Sequence, residues 1–205
     1  SDFGSGCSAD GNLIIEESIF DKLVAQLQKE GGYLASPAEK ELLRKAMWDD
    51  ERHRTSSTVA IAPQQLAKIA GFEIPIDRKF IMVHGDGISK EHHYSGEKLT
   101  TLLALYKYQG FDQALDMMRA IYEVGGKGHS CGIYSFDADH IHRLGLAAPV
   151  SRIMVRQPQS KANAGAFNNG MPMTSSLGCG TWGGNVISEN VHLKHYMNTT
   201  WVSVP

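Results

Sequence analysis

The chain has 205 residues, is 42% hydrophobic and 20% charged, and carries a net charge of −2. That is enough chain to bury the core of one domain, and the balance argues against disorder, a fibrous protein, a nucleic-acid-binding basic stripe or a membrane-spanning helix. Three cysteines are an odd count at spacings unsuited to a disulfide framework, and no signal peptide is recognised, so reduced thiols in a cytoplasmic protein are expected.

Residues 4–10, GSGCSAD, set Cys7 among glycines and small polar residues, a loop that lets a partner approach the sulfur closely. Its place at the front of the chain predicts that the chain is cut from something longer. Gly4, Gly6 and Ala9 also spell G-x-G-x-x-A, but that dinucleotide fingerprint follows a strand and opens a helix, and an extended run follows here. NLIIE at 12–16 reads as a strand. A helix follows over 18–32, with Ile19, Leu23 and Leu27 on one face and Gly31 to stop it. Ser36, Pro37 and Glu39 form a capping-box start for the next helix. A further helix lies between Pro63 and Gly71, and 79–85 reads as a buried strand. The run 111–126 reads as a helix capped by Asp112 and ended by Gly125. Strand, helix and strand follow at 129–135, 137–146 and 151–157. The alternation predicts an α/β fold, a mostly parallel sheet flanked by helices, with ligands beyond the carboxyl ends of the strands. Residues 158–190, rich in Gly, Asn and Ser, are expected to form an ordered binding loop. TTWVSVP reads as an edge strand, making 191–205 an edge or oligomerisation segment.

Two kinds of chemistry compete. A thiolate at Cys7 is a good nucleophile toward carbonyl carbon, and the histidines supply bases. A zinc site could draw on His129, Cys131, His140 and His142, joined by His84, His92, His93 or Cys179. No CxxC or HExxH occurs, the spacing matches no common zinc finger, and ordinary surface and core histidines are the plainer reading; no metal is expected.

The motifs resemble those of one family. FGSGC followed by a strand and helix resembles the catalytic cysteine segment of aldehyde dehydrogenases. GEKLTTLLALYKY resembles the segment whose glutamate, here Glu97, holds the nicotinamide ribose. GGKGHSCGIYS and SRIMVRQP follow in the family's order. SLGCGTWGGNVISENVHLKHYMN resembles the signature loop of the CoA-acylating branch, with the sulfoacetaldehyde type nearest. Residues 1–205 would then be a catalytic domain whose nucleotide-binding domain, and an asparagine that helps hold the oxyanion, lie upstream. The resemblance implies NAD or NADP as cofactor and coenzyme A as co-substrate. It implies a small aldehyde as substrate, a homo-oligomer at full length, and an isolated chain without turnover. Cys7 would be the nucleophile, with its backbone N–H toward the oxyanion, and His129 a base toward the CoA thiol. Gly178, Cys179, Gly180 and Thr181 would wall the acyl and CoA pocket. From charge alone, Arg152 or Lys161 could meet an anionic substrate group such as a sulfonate, though a solvated face is the plainer reading. Asp10, Gly11 and Thr101 depart from the branch's usual letters, which bears on pocket shape. A hydrolytic aldehyde dehydrogenase domain and a non-catalytic assembly domain are the alternatives.

Overall fold

The computed structural model describes residues 2–205. Its main sheet has the order β1-β4-β3-β2 and is parallel throughout, from β1 (Asn12–Glu16), β2 (Gly32–Leu34), β3 (Phe80–His84) and β4 (Leu102–Tyr108). A second, two-stranded parallel sheet pairs β5 (Cys131–Ile133) with β6 (Ile153–Val155). The helices are α1 (Phe20–Lys29), α2 (Pro37–Met47), α3 (Pro63–Ala70), α4 (Phe111–Gly125), α5 (Ala138–Ala147) and the single turn α6 (Gln159–Ala162).

Alternation along the central strands sorts the core into two layers. Ile81 and Val83 of β3, with Leu102, Ala104 and Tyr106 of β4, face Leu43 and Met47 of α2 and Leu66 and Ala67 of α3. Their neighbours Met82 and Leu105 face the other way, onto Phe20 and Val24 of α1. Helices therefore cover both faces, which is why neither central strand reads as polar on alternate residues. A third cluster seats Leu115 and Met118 of α4 and Leu144 of α5 beside Cys131, Ile133 and Ile153.

The capping box forms as expected: Ser36 Oγ accepts from Glu39 N–H, and Glu39 Oε2 accepts from Ser36 N–H at 2.8 Å. Gly71 ends α3 in the left-handed conformation. Other details differ. Ile19 is exposed, and the buried face of α1 is centred on Phe20 and Val24. Gly110 takes the cap position of α4 at φ 72°, while Asp112 lies in the first turn and pairs with Arg143. The helix runs through Gly125 to a cap at Gly126. β2 and β4 were not expected as strands. Toward the end of the chain, Leu193–Tyr196 is a 3-10 turn, and 197–205 pairs with no strand among the described residues. Among the described residues no helix is long and apolar enough to cross a membrane.

Candidate active site

Cys7 sits in a turn ahead of β1, Glu97 in the loop ahead of β4, and His129 just ahead of β5. All three precede strands, so these candidate residues lie at the amino ends of the strands, whereas ligands were expected beyond the carboxyl ends. Because β1 and β4 are parallel neighbours, the loops that lead into them meet at the same edge.

The Cys7 loop is held by two short turns, with Ser5 N–H donating to Asp2 O at 3.0 Å and Ala9 N–H to Gly6 O at 2.8 Å. Gly4 has φ +76°, and a Cβ there would come within 2.5 Å of Thr100 O. A side chain is excluded both by conformation and by contact, so the Cys7 and Glu97 loops touch backbone to backbone. A Cβ on Gly6 would meet nothing within 4 Å, and Cys7 itself is exposed. Among the described residues, no hydrogen bond occupies the Cys7 backbone N–H.

The Glu97 loop is anchored from inside by its neighbour. Lys98 is 1% exposed, and its Nζ donates to Tyr94 O at 2.7 Å, Gly96 O at 2.9 Å and Asn12 Oδ1 at 3.0 Å. Those three acceptors match the three protons of an ammonium group. Burial, and then the nearby Arg54 guanidinium, pull Lys98 down to about 7. Asn12 opens β1, so this lysine ties the first strand to the loop that presents Glu97, whose own side chain is exposed.

His129 brings the chemistry together. Its Nε2 lies 3.1 Å from Cys7 Sγ, although the two residues are 122 apart in sequence. Its Nδ1 lies 2.6 Å from Ser130 Oγ. Behind Ser130 stands Asn163, fully buried, whose Nδ2 donates to Ser130 Oγ at 3.1 Å and Gln159 O at 2.9 Å. Asn190 Nδ2 donates to Asn163 O at 2.8 Å. Arg152 Nε donates to Asn190 Oδ1 at 2.6 Å and its Nη1 to His129 O at 3.3 Å. These contacts close a ring that begins and ends at His129. Burial first, and the Arg152 charge second, hold His129 below the ordinary imidazole range, so it is neutral at neutral pH.

Arg152 is therefore a buried part of this ring, 5% exposed, whereas Lys161 is at the surface. Sequence reading missed Ser130, Asn163 and Asn190 as members of the site. The only local signal was their place beside His129, at the head of the Gly/Asn-rich segment and in its NVISEN tail.

The loop 158–190 is tied into place by its backbone. Leu177 bridges Asn190, Gly178 N–H donates to Glu189 O at 3.1 Å, and Gly180 N–H to Ile187 O at 2.9 Å. A Cβ on Gly178 would stand 2.1 Å from Ile187 O. The loop reaches His129 through Gly128, at φ +109°, where a Cβ would lie 2.6 Å from Cys179 O and 2.8 Å from Gly183 N. Gly180 and Thr181 line a cleft of about 480 Å³ with Ser151, Arg152, Trp182 and Asn190, whereas Gly178, Cys179, Cys7 and His129 are not among its walls. A larger cleft of about 700 Å³ at the α1–β2 turn, walled by Gln28, Lys29 and Asp77, holds none of these site residues.

The residues of the zinc reading do not gather: among the described residues no group of three or more His, Cys, Asp or Glu side chains could hold a metal. Cys131 faces Tyr122, and burial pushes its thiol up to about 11. His140 stacks on Phe111.

No protein-family model matches the chain. Relatives do. Over 98% of its length the chain is 36% identical to a sulfoacetaldehyde dehydrogenase from an Acholeplasma species. Over 100% of its length it is 35% identical to an acylating sulfoacetaldehyde dehydrogenase from Bilophila wadsworthia. It spans 42% and 45% of those two proteins. Among solved structures, an acetylating aldehyde dehydrogenase from Geobacillus thermoglucosidasius matches with a TM-score of 0.91 at 31% identity, over 99% of this chain and 46% of that one. The fold, the order of its motifs and these relatives agree: over the part of such proteins that it spans, the C-terminal part, the chain belongs to the CoA-acylating aldehyde dehydrogenases, a family of oxidoreductases.

Proposed function

We propose that the chain is the catalytic part of an NAD(P)-dependent, CoA-acylating aldehyde dehydrogenase that oxidises a small aldehyde to its acyl-CoA. The observation that carries the reading is the 3.1 Å contact between Cys7 Sγ and His129 Nε2, which sets an exposed nucleophile against a neutral imidazole. Sulfoacetaldehyde is the first aldehyde to assay, because two relatives carry it in their names.

Cys7 thiolate adds to the aldehyde carbon, and the carbonyl electron pair moves onto oxygen, where the Cys7 backbone N–H is free to donate to it. A bound nicotinamide would supply the acceptor for the hydride on that carbon. Three features fit such a group: the open space above Gly6, the exposed Cys7 and the exposed carboxylate of Glu97, whose loop touches the Cys7 loop at Gly4 and Thr100. Glu97 would accept from ribose hydroxyls. Loss of hydride leaves a thioester on Cys7. The CoA thiol then gives its proton to His129, its sulfur takes the acyl carbon, and Cys7 leaves as thiolate. Gly180 and Thr181 would wall the acyl or CoA path from the cleft they line, with Gly178 and Cys179 behind them. Within 191–205, the stretch 197–205 that follows the 3-10 turn is proposed as a strand paired between copies at full length. Its support is the exposure of Trp201, Val202 and Val204 in a segment that pairs with no strand among the described residues.

The test is Cys7→Ala in the full-length protein, with acyl-CoA formation measured from sulfoacetaldehyde, acetaldehyde and propionaldehyde. Activity is expected to vanish in Cys7→Ala and to survive in Cys179→Ala. Activity retained in the first, or lost only in the second, overturns the assignment.

A further inference from the structure

We infer that Ser130 and Asn163 fix the tautomer of His129, placing its proton on Nε2 so that the imidazole donates a hydrogen bond to Cys7 Sγ. The inference rests on Cys7 being the nucleophile, and assigns two positioning residues to it.

The argument is one of elimination around a single hydroxyl. Among the described residues, Ser130 Oγ has two neighbours within hydrogen-bond reach, Asn163 Nδ2 at 3.1 Å and His129 Nδ1 at 2.6 Å. The orientation of the Asn163 amide is decided independently of Ser130. Its nitrogen faces the Gln159 backbone carbonyl at 2.9 Å, and a carbonyl can only accept, so the atom opposite it must be the donor. The same nitrogen then donates its other proton to Ser130 Oγ. With that neighbour already a donor, the Ser130 hydroxyl proton has one place to go, His129 Nδ1. Ser130 is buried, so a hydroxyl proton left unplaced there would carry a desolvation cost.

A nitrogen that accepts from a hydroxyl carries no proton of its own. His129 is held neutral by burial and by Arg152, so it has one ring proton, and that proton lies on Nε2. The Nε2 atom is the one 3.1 Å from Cys7 Sγ. In this arrangement the histidine serves the sulfur as a donor, which favours the thiolate. A base role toward the CoA thiol on the same side belongs to the other tautomer, reached when Ser130 Oγ accepts from an Nδ1–H instead. The Ser130 hydroxyl, by which way it points, sets which of the two jobs His129 can do.

The experiment reads the tautomer directly and does not depend on turnover. The full-length protein is labelled with ¹⁵N-histidine, the His129 resonances are assigned by their loss in His129→Gln, and magic-angle-spinning ¹⁵N spectra report which ring nitrogen is protonated. A protonated Nε2 and bare Nδ1 are expected in the unmodified protein, a mixture of tautomers in Ser130→Ala, and the original pattern restored in Ser130→Thr. Alkylation of Cys7 by iodoacetamide at pH 7 should slow in Ser130→Ala in proportion to the share of Nε2–H lost, about twofold for an even mixture of tautomers, and recover in Ser130→Thr. A protonated Nδ1 in the unmodified protein, or an unchanged tautomer in Ser130→Ala, overturns the inference. Loss of acylation in Cys7→Ala is unaffected by either result, so the reading of Cys7 and the reading of Ser130 fail separately.

Discussion

Replacing Lys98 with methionine keeps the length and the apolar stem of the side chain while removing its three donors. Tyr94 O, Gly96 O and Asn12 Oδ1 then face a methyl group at distances where they now accept from Nζ. An acceptor stranded in a buried setting costs about 1–3 kcal/mol. Against that stands relief from burying a charge, an effect of several kcal/mol that can make such replacements neutral. With three acceptors served by the ammonium near pH 7 and two by the amine above it, the net expectation is a loss of about 2–4 kcal/mol. In a domain of this size that is about 5–15 °C in Tm. The effect also has a sign in pH. The folded Lys98 is drawn down to about 7 from an ordinary 10.5, so between those values the unfolded chain holds a proton that the folded chain has released. Stability conferred through this residue therefore rises with pH across that window, and the gap between native protein and Lys98→Met should widen from pH 7 toward pH 10. Thermal unfolding of both proteins across that range, followed by circular dichroism, is the assay. A Tm in Lys98→Met equal to or above that of the native protein, or a gap that narrows with pH, would refute the reasoning.

Gly128→Ala should lower both Tm and kcat/KM, the latter at least about tenfold, because the new methyl meets Cys179 O at 2.6 Å in a left-handed backbone and must push His129 off its line to Cys7. A variant with native kinetics would show that the glycine contact does not position the histidine. Glu97→Ala should raise the cofactor KM while leaving Tm within about 1–2 °C, since the side chain is exposed. A large Tm loss with normal cofactor kinetics would make the residue structural. In thiol alkylation at pH 8, mapped by mass spectrometry, Cys131 should react last: burial has pushed it up to about 11, while Cys7 is exposed. Early labelling of Cys131 in folded protein would contradict its packing against Tyr122.

Much of this was legible from local chemistry. The capping box at Ser36, the glycine stop at Gly71 and the strand at 12–16 are short-range signals, and each forms where the letters place it. β4 was not legible because LLALYKY, buried on both faces like β3, is rich in Leu and Ala and lacks the β-branched Ile and Val that mark β3 as a strand. The cap of α4 went to Gly110 because a left-handed turn was needed there, which a glycine meets without strain and Asp112 does not. Cys7 stood out by its glycines, but its partner did not, since nothing in the spacing of His129 points across 122 residues. Ser130, Asn163 and Asn190 are ordinary polar letters whose meaning lies in their contacts. The side of the sheet was not legible because the general rule concerns loops that leave strands, and Cys7, Glu97 and His129 sit on loops that enter them.

The long span between Cys7 and His129 has a consequence for the life of the chain before it is folded. Contacts between residues far apart in sequence bear the full entropy of closing a long loop and form late. The pairing of β1 with β4 and the packing of α4 beside β5 bring the two residues together in the folded chain. Until those contacts form, Cys7 is a thiol on a glycine-rich segment, open to oxidation and away from His129. The 3.1 Å contact between the two belongs to the completed topology, so the fraction of Cys7 that reacts in a His129-dependent way is a measure of how much of the chain has reached its native state.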